Sequence, residues 1–358
     1  MSEERANVIG GVDCHSRTHH AVALDGRGQR LGDAEFPATI AGYQALHAWL
    51  EGFGAIEALG IESTSSYGAG LTRWLTGRQI RVLEVNQPHK HTRSRKGKSD
   101  SVDAEAAARK VLAGETVVVP KNTAGVIESI RQLRVAREGA VKARSAALCQ
   151  LGGLIVTAPA ELRESLPGKT LLGQARQCAR LRPDPRRLAE PLHAAKFALR
   201  SLALRIVALD REIGQLDHAL KELVHRAAPR TTSLLGVGTH HAGQLLVTAG
   251  QNIERLRSEA AFAHLCAADP IPASSGLTRR HRLNRGGDRS ANRALHMIAV
   301  VRLRYCPRTR LYAARRTAEG LSKREIIRCL KRYIAREVYQ ALSADLRQID
   351  SREVLDTV

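Results

Sequence analysis

Aromatic residues are scarce in this 358-residue chain: two Trp, four Phe and six Tyr, 3% of the whole. A protein that holds single-stranded nucleic acid by stacking bases needs more of them, so no OB-fold or RRM platform is expected. Acids are short as well. The 35 Asp and Glu against 56 Lys and Arg leave a formal net charge of +21, well beyond what solubility requires. That excess points to a polyanionic partner, nucleic acid first, held mainly through its backbone phosphates. The six cysteines (Cys14, Cys149, Cys178, Cys266, Cys306 and Cys329) are scattered without a C-x-x-C pair, which excludes an evident zinc site or disulfide framework. No run of about 18 apolar residues is present, and the first ten residues hold no apolar signal core. The expectation is a chain without a membrane span, cytoplasmic and nucleoid-associated.

What the chain does have is 43% hydrophobic residues, enough to bury sizeable cores in two or three domains. Short apolar runs at 8–12, 21–24 and 30–36, separated by Asp25-Gly26 and Gly28, predict an antiparallel meander. A helix is predicted over 40–53, where Tyr43, Leu46, Trp49 and Leu50 share a stripe. A strand over 55–61, a helix over 70–76, a strand over 80–85 and a helix from Ser99 to about 113 follow. Three strands, then helix, strand, helix, strand, helix is the order of the α/β ribonuclease-H-like fold, whose mixed sheet offers acids at strand ends and on a neighbouring helix.

Asp13 and Glu62 close their predicted strands, and Asp100 and Asp103 stand three apart in the first turn of the last helix. That spacing puts both on one helix face, with Cβ atoms roughly 5–6 Å apart. Adjacent carboxylates repel unless a cation lies between them, and a hard divalent ion such as Mg²⁺ is the simplest one. Each piece also has a plainer reading: Ser99 is a good N-cap, acids suit a first turn, and an acid at a strand end is commonly a turn residue. Four acids at compatible places in one fold are what point to a metal centre. Between the last strand and the acidic helix lies a strongly basic segment with Arg93, Arg95, Lys96 and Lys98, suited to holding a phosphodiester beside those acids. His89 and His91 form an H-x-H pair within it, a weaker candidate for ligands.

After Pro120 the composition turns helical. Residues 126–154 are rich in Arg and Ala, 159–191 read as a proline-broken helical linker, and Leu192, Ala195, Leu199, Leu202, Ile206, Leu209, Ile213, Leu216, Leu220 and Leu223 alternate three and four apart. Such a heptad seam either pairs with 126–154 in the same chain or forms an intermolecular coiled coil. Gly236-Val237-Gly238 resembles a helix-hairpin-helix turn that can present N–H groups to a phosphate, although a tight αα turn uses glycines equally. From Leu277 to Gln340, 18 Lys or Arg stand against four acids. Among them Arg279, Arg280, Arg282, Arg285, Arg289 and Arg293 have few acids to pair with, so phosphate is their expected counter-ion. Just ahead, Pro270 to Gly276 reads as a Pro-rich loop presenting Ser274 and Ser275.

Several of these pieces together resemble one family. Gly10-Gly11-Val12-Asp13-Cys14-His15, the stretch from Gly60 to Gly68 around Glu62, Glu84-Val85-Asn86, the stretch from Gly97 to Ala104, and Pro272-Ala273-Ser274-Ser275-Gly276 with Asn284-Arg285-Gly286-Gly287 are similar to the DEDD transposases of bacterial insertion sequences, the bridge-RNA-guided recombinases. The resemblance covers nearly the whole chain. It implies a RuvC-like catalytic domain (1–120), a helical coiled-coil region (121–226), a mostly α transposase domain with a serine nucleophile (227–345) and a C-terminal tail (346–358). It also implies a metal tetrad of Asp13, Glu62, Asp100 and Asp103 holding two Mg²⁺ ions. The family's serine directly precedes a glycine, which selects Ser275, with Ser274 as its neighbour. The implied partners are double-stranded donor and target DNA, a guide RNA, and further copies of the chain, dimers assembling to a tetramer. One departure is Asp269 before the Pro-x-Pro, an acid beside an expected phosphate site. Two rival readings stand beside this one: a metal-dependent endonuclease or junction resolvase that uses water, and a basic nucleic-acid-binding protein whose acids only cap helices.

Overall fold

The computed structural model describes residues 7–85, 99–116, 118–168, 170–277 and 281–355. Two units divide the chain, one of residues 1–125, 249–262 and 354–358, the other of residues 126–248 and 263–353.

In the first unit the meander forms as expected, as β1 (Asn7–Cys14), β2 (Thr18–Asp25) and β3 (Arg30–Pro37). The turn between β2 and β3 closes on the Asp25 carboxylate, which accepts from the backbone N–H of Arg27 and Gln29, while Gly28 takes a left-handed φ of 84°. Helix α1 (Ile40–Glu51) starts on the Thr39 hydroxyl, followed by β4 (Ala55–Ile61), α2 (Ala69–Thr76), β5 (Val82–Glu84) and α3 (Asp100–Leu112). The sheet runs β3-β2-β1-β4-β5, with β1 antiparallel to β2 but parallel to β4. The element order read from the sequence is the order found.

Strand parity assigns the two faces of this sheet. Val8, Val12 and Cys14 of β1, with Leu59 and Ile61 of β4, pack with Leu46, Leu50, Leu71 and Leu75 from α1 and α2. The alternate residues face α3, where Ile9, Val22 and Leu24 meet Ala104 and Ala108. On that face the helix comes unusually close. A Cβ added at Gly11 would stand 2.1 Å from the Ala104 carbonyl oxygen, and one at Gly60 would stand 2.7 Å from that of Ala107. Only glycine on the strands and alanine on the helix leave room for this contact.

The second unit is mostly helical. Helices α4 (Gly125–Thr157) and α7 (Pro191–Ala227) lie side by side, tied by ion pairs from Arg137 to Asp217 and from Arg144 to Asp210. The partners are seven residues apart on each helix and in opposite order, so the pair is antiparallel. Ala147, Leu151 and Ile155 meet Leu199, Ala203 and Ile206, and the short helices α5 (Ala160–Glu164) and α6 (Leu171–Cys178) add Leu162, Ala175 and Cys178 to the same core. The heptad seam therefore pairs within the chain, and the proline-broken segment is folded into the end of that hairpin.

Beyond it come α8 (Pro229–Ser233), α9 (Thr239–Ala249), α10 (Glu259–Leu265), the strands β6 (Pro270–Pro272) and β7 (His281–Leu283), α11 (Arg289–Tyr305), α12 (Pro307–Ala318) and α13 (Lys323–Leu355). Buried Asp345 of α13 accepts from the backbone N–H of Arg230 and Thr231 and from the Thr231 hydroxyl, which satisfies the orphan donors at the start of α8. Helix α13 runs on through 346 to Leu355, and two features of this region were not read from the sequence. The Pro-rich segment, read as a loop, begins with a strand, Pro270 pairing with Leu283 and Pro272 with His281. The two prolines are two apart, so Ile271 is the only N–H donor the ribbon asks of that strand. Helix α12 lies in a stretch where the sequence showed only a run of arginines.

The glycine contact gives a direct test. Gly11→Ala should cost about 3 kcal/mol of stability in urea unfolding, because backbone meets backbone and neither can yield. Gly26→Ala, with no atom within 4 Å of the added carbon, should change stability by less than about 0.5 kcal/mol.

Candidate metal centre and serine hairpin

The parity that aims Gly11 at α3 also aims Asp13, two residues on, at the N-terminal end of the same helix. Gly60 and Glu62 repeat the relation, Glu62 following the last residue of β4. The Glu62 N–H approaches the Val12 carbonyl at 3.4 Å, which docks it beside Asp13. On α3, Asp100 and Asp103 lie one turn before the contact residues Ala104 and Ala107, on the stripe that meets the sheet. Ser99 is extended and its hydroxyl accepts from the Val102 N–H, which fixes the first turn. Glu62 and Asp103 are buried, Asp13 and Asp100 half-buried.

Electrostatics link the acids. Burial pushes the Asp13 carboxyl above the usual carboxylate range; Asp100 and Asp103 push it further, and His15 opposes them. The buried Cys14 thiol is driven up first by desolvation and then by the charges of Asp13 and Glu62. The His15 Nε2 sits 3.4 Å from an Asp13 oxygen and 3.3 Å from an Asp100 oxygen. Asp13, His15 and Asp100 thus offer ligand atoms all within 4.8 Å of one another. At about 4 Å and an effective dielectric near 20, two carboxylates repel by about 4 kcal/mol. Solvent screening around half-exposed Asp100 reduces that figure, while the helix dipole returns about 0.3–1 kcal/mol to an acid in its first turn. Oxygen donors in this number suit a hard divalent cation, and the place His15 holds between two carboxylates is one that a cation can fill.

His15 is the residue the sequence reading left without a role. Its signal was the i, i+2 spacing from Asp13, which keeps both on one side of an extended chain. Among the nucleic-acid candidates, Arg93, Arg95, Lys96, Lys98, Arg279 and Arg280, and with them His89 and His91, lie outside the described residues. Arg282, Arg285, Arg289 and Arg293 are exposed in the second unit, with no ion pair among the described residues.

Ser275 also belongs to the second unit, in the connection between β6 and β7. Ser274 and Ser275 are both exposed. Gly276 has a φ of 55°, where a side chain would be strained, and no atom lies within 4 Å of a Cβ built there. The base of this hairpin is stapled by Asp269. One of its oxygens accepts from Asn284 Nδ2 at 2.9 Å, and the other lies 2.7 Å from His264 Nδ1. Partial burial raises the Asp269 carboxyl, but the bonds from Asn284 and His264 outweigh it and hold the group below its ordinary value. The acid that looked out of place beside a phosphate site is committed to the fold.

Two family models match these parts in chain order. Residues 10–158 match an IS110-type DEDD transposase model, described as Transposase, and residues 228–314 match the model described as Transposase IS116/IS110/IS902 family. The chain therefore carries two IS110-family transposase domains. It is 28% identical over 189 residues to the "Insertion element IS900 uncharacterized 42 kDa protein" of Mycobacterium paratuberculosis. That match covers 52% of this chain and 47% of the relative, so it spans about half the length of each.

A bound divalent ion should stabilise the folded protein by about 2.7 kcal/mol at one hundred times its dissociation constant. Thermal unfolding with Mg²⁺ or Mn²⁺ should show that gain in wild type and lose it in Asp13→Asn and in Asp103→Asn. A metal response that survived both substitutions would remove these carboxylates from the ligand set.

Proposed function

We propose that this chain is a DNA transposase of the IS110 type, which cuts and rejoins double-stranded DNA through a phosphoserine intermediate. The observation that carries the reading is the convergence of Asp13, His15 and Asp100, with the Asp103 charge felt at Asp13 and Glu62 docked beside it, on a chain whose residues 10–158 and 228–314 match transposase models. The sheet order supports a ribonuclease-H-like, RuvC-like catalytic domain in the first unit. Asp13, Glu62, Asp100 and Asp103 would hold Mg²⁺, two ions in the form the resemblance implies. When bound, the metal supplies positive charge to the attacking and leaving oxygens of the phosphoryl group.

The protein's own groups divide the remaining work. Ser275 Oγ gives up its proton and forms a bond to phosphorus, one bridging P–O bond of the strand breaks, and the departing sugar oxygen takes a proton. Attack by a sugar hydroxyl of the new strand then restores the serine. One phosphoester replaces another at each step, so rejoining needs no external energy source. Ser275 suits this role because an open turn with a left-handed glycine carries it into solvent. Exposed Arg282, Arg285, Arg289 and Arg293 would bind backbone phosphates on either side.

A guide RNA read by base pairing, and dimers that assemble to a tetramer, belong to this proposal through the family resemblance. The basic surface favours the first, since A-form RNA is held by backbone contacts. Half-buried Leu209, Leu216 and Leu223 of α7, which repeat every seven residues and lie outside the core cluster at the hairpin end, favour the second.

The test is a denaturing pull-down from cells that carry the native locus, with sequencing of any DNA that stays attached. Wild type should retain covalent DNA, and Ser275→Ala should reduce it by at least about a thousandfold. Cleavage that continues in Ser275→Ala without any adduct would replace this reading with a metal-dependent nuclease that uses water. Asp13→Ala and Asp103→Ala proteins that kept all activity would leave only a basic nucleic-acid-binding protein.

A further inference from the structure

The second unit contains a cavity of about 800 Å³ at the foot of the serine hairpin, lined by Ala267 to Pro270, by His281 to Leu283 and by one face of α13. From that helix come Arg328, Lys331, Arg332 and Arg336, and Arg282 of β7 adds a fifth cation. Arg328 and Lys331 are like charges three apart on one helix face, a pairing that destabilises a helix by roughly 0.2–0.5 kcal/mol unless an anion offsets it. The two acids in the lining do not supply it. Asp269 is committed to Asn284 and His264, and Glu325 accepts from the Ser322 N–H and hydroxyl in a capping box. Arg282 and Arg328 make no ion pair among the described residues.

Lys331 is the most telling of the five. It is only 7% exposed, and its ammonium donates to Asn292 Oδ1 at 2.9 Å, with no carboxylate in reach among the described residues. The Asn292 amide is fixed in this orientation, since its Nδ2 donates to the carbonyls of Cys266 and Ala267. Burial, and then Arg328, push the Lys331 ammonium below the ordinary lysine range. A buried charge with one neutral partner is costly unless a ligand completes it. At one side of the cavity stands Tyr333, half its surface exposed.

We infer that this cavity is a phosphodiester-binding subsite, in which Lys331, Arg282 and Arg328 grip the nucleic-acid backbone at the root of the hairpin that carries Ser275. The inference deepens the transposase reading and rests on it. The subsite would fix where the strand enters relative to the hairpin base, which the Asp269–Asn284 staple makes rigid. The same backbone chemistry is offered by DNA and by RNA, and the test separates them.

Binding is read by fluorescence anisotropy over a salt series, with a 30-base-pair DNA duplex of arbitrary sequence as one probe and an RNA duplex of the same length as the other, using about the length that a dsRNA-binding surface spans twice over. The Arg282→Gln/Arg328→Gln double variant changes exposed residues and should fold normally. It should lower the logarithmic salt slope for DNA by about 1.8 and weaken binding roughly tenfold per lost contact at 0.1 M salt. Lys331→Met, which keeps the side chain's length, should weaken binding in the same direction. An effect on DNA alone assigns the subsite to DNA, one on RNA alone to RNA, and one on both to backbone in general. Unchanged slopes in both variants would overturn the inference. So would an equal loss in Arg211→Gln/Lys221→Gln, which removes the same charge from the exposed side of α7. None of these readouts requires cleavage, so the Ser275→Ala adduct experiment can fail without deciding this one.

Discussion

The close seating of α3 on the central strands is the constraint on which the candidate metal centre depends. Helix and sheet packed through ordinary side chains stay about 10 Å apart, a separation at which carboxylates on the two would not share a cation. Here Gly11 and Gly60 remove the intervening atoms, and Ala104, Ala107 and Ala108 present nothing larger than a methyl. The carboxylates then follow from periodicity alone. Two residues along each strand, and one turn back along the helix, are the positions that point to the same spot.

That seating also sets the local energy balance. Burying Glu62 and Asp103 beside Asp13 opposes folding, as the raised Asp13 carboxyl indicates. The packed apolar face around Ile9, Val22 and Leu24 favours folding against that cost, and the His15 ring lies between Asp13 and Asp100. A structural site would not need such an arrangement, because an apolar residue at position 13 or 103 would pack at no electrostatic cost. Acids that work against the fold are better explained by what they hold than by what they stabilise.

Much of this was legible in the sequence because it is periodic. Alternation gave the strands, the three-and-four spacing of leucines gave α7, and the paired acids of α3 stood in a recognisable first turn. The pairing of the heptad seam was not legible, because a heptad states that a partner exists and is silent on which chain supplies it; the Arg137–Asp217 and Arg144–Asp210 pairs decide it only once both helices are placed. The β6–β7 hairpin was hidden for a different reason. Two prolines in three residues argue against a strand wherever every N–H is needed, and a two-stranded ribbon relaxes that need. His15 was hidden because a lone histidine past a strand end has no pattern of its own until the acids around it are in place.

The Gly-x-acid spacing joins these threads. In the sequence, Gly11-Val12-Asp13 and Gly60-Ile61-Glu62 look like two unrelated strand ends, and each glycine looks like a weakness in its strand. In the fold they are one device used twice: the small residue admits the helix, the apolar residue turns to the opposite core, and the acid faces the helix N-terminus. Val12 and Ile61 are register partners across the parallel pair, so the two devices stand level with each other. A slip of one residue in that register would turn one acid to the α1 and α2 side of the sheet and dissolve the site while leaving the strand paired. The parallel register of β1 and β4 is therefore as much a part of the centre as the carboxylates themselves.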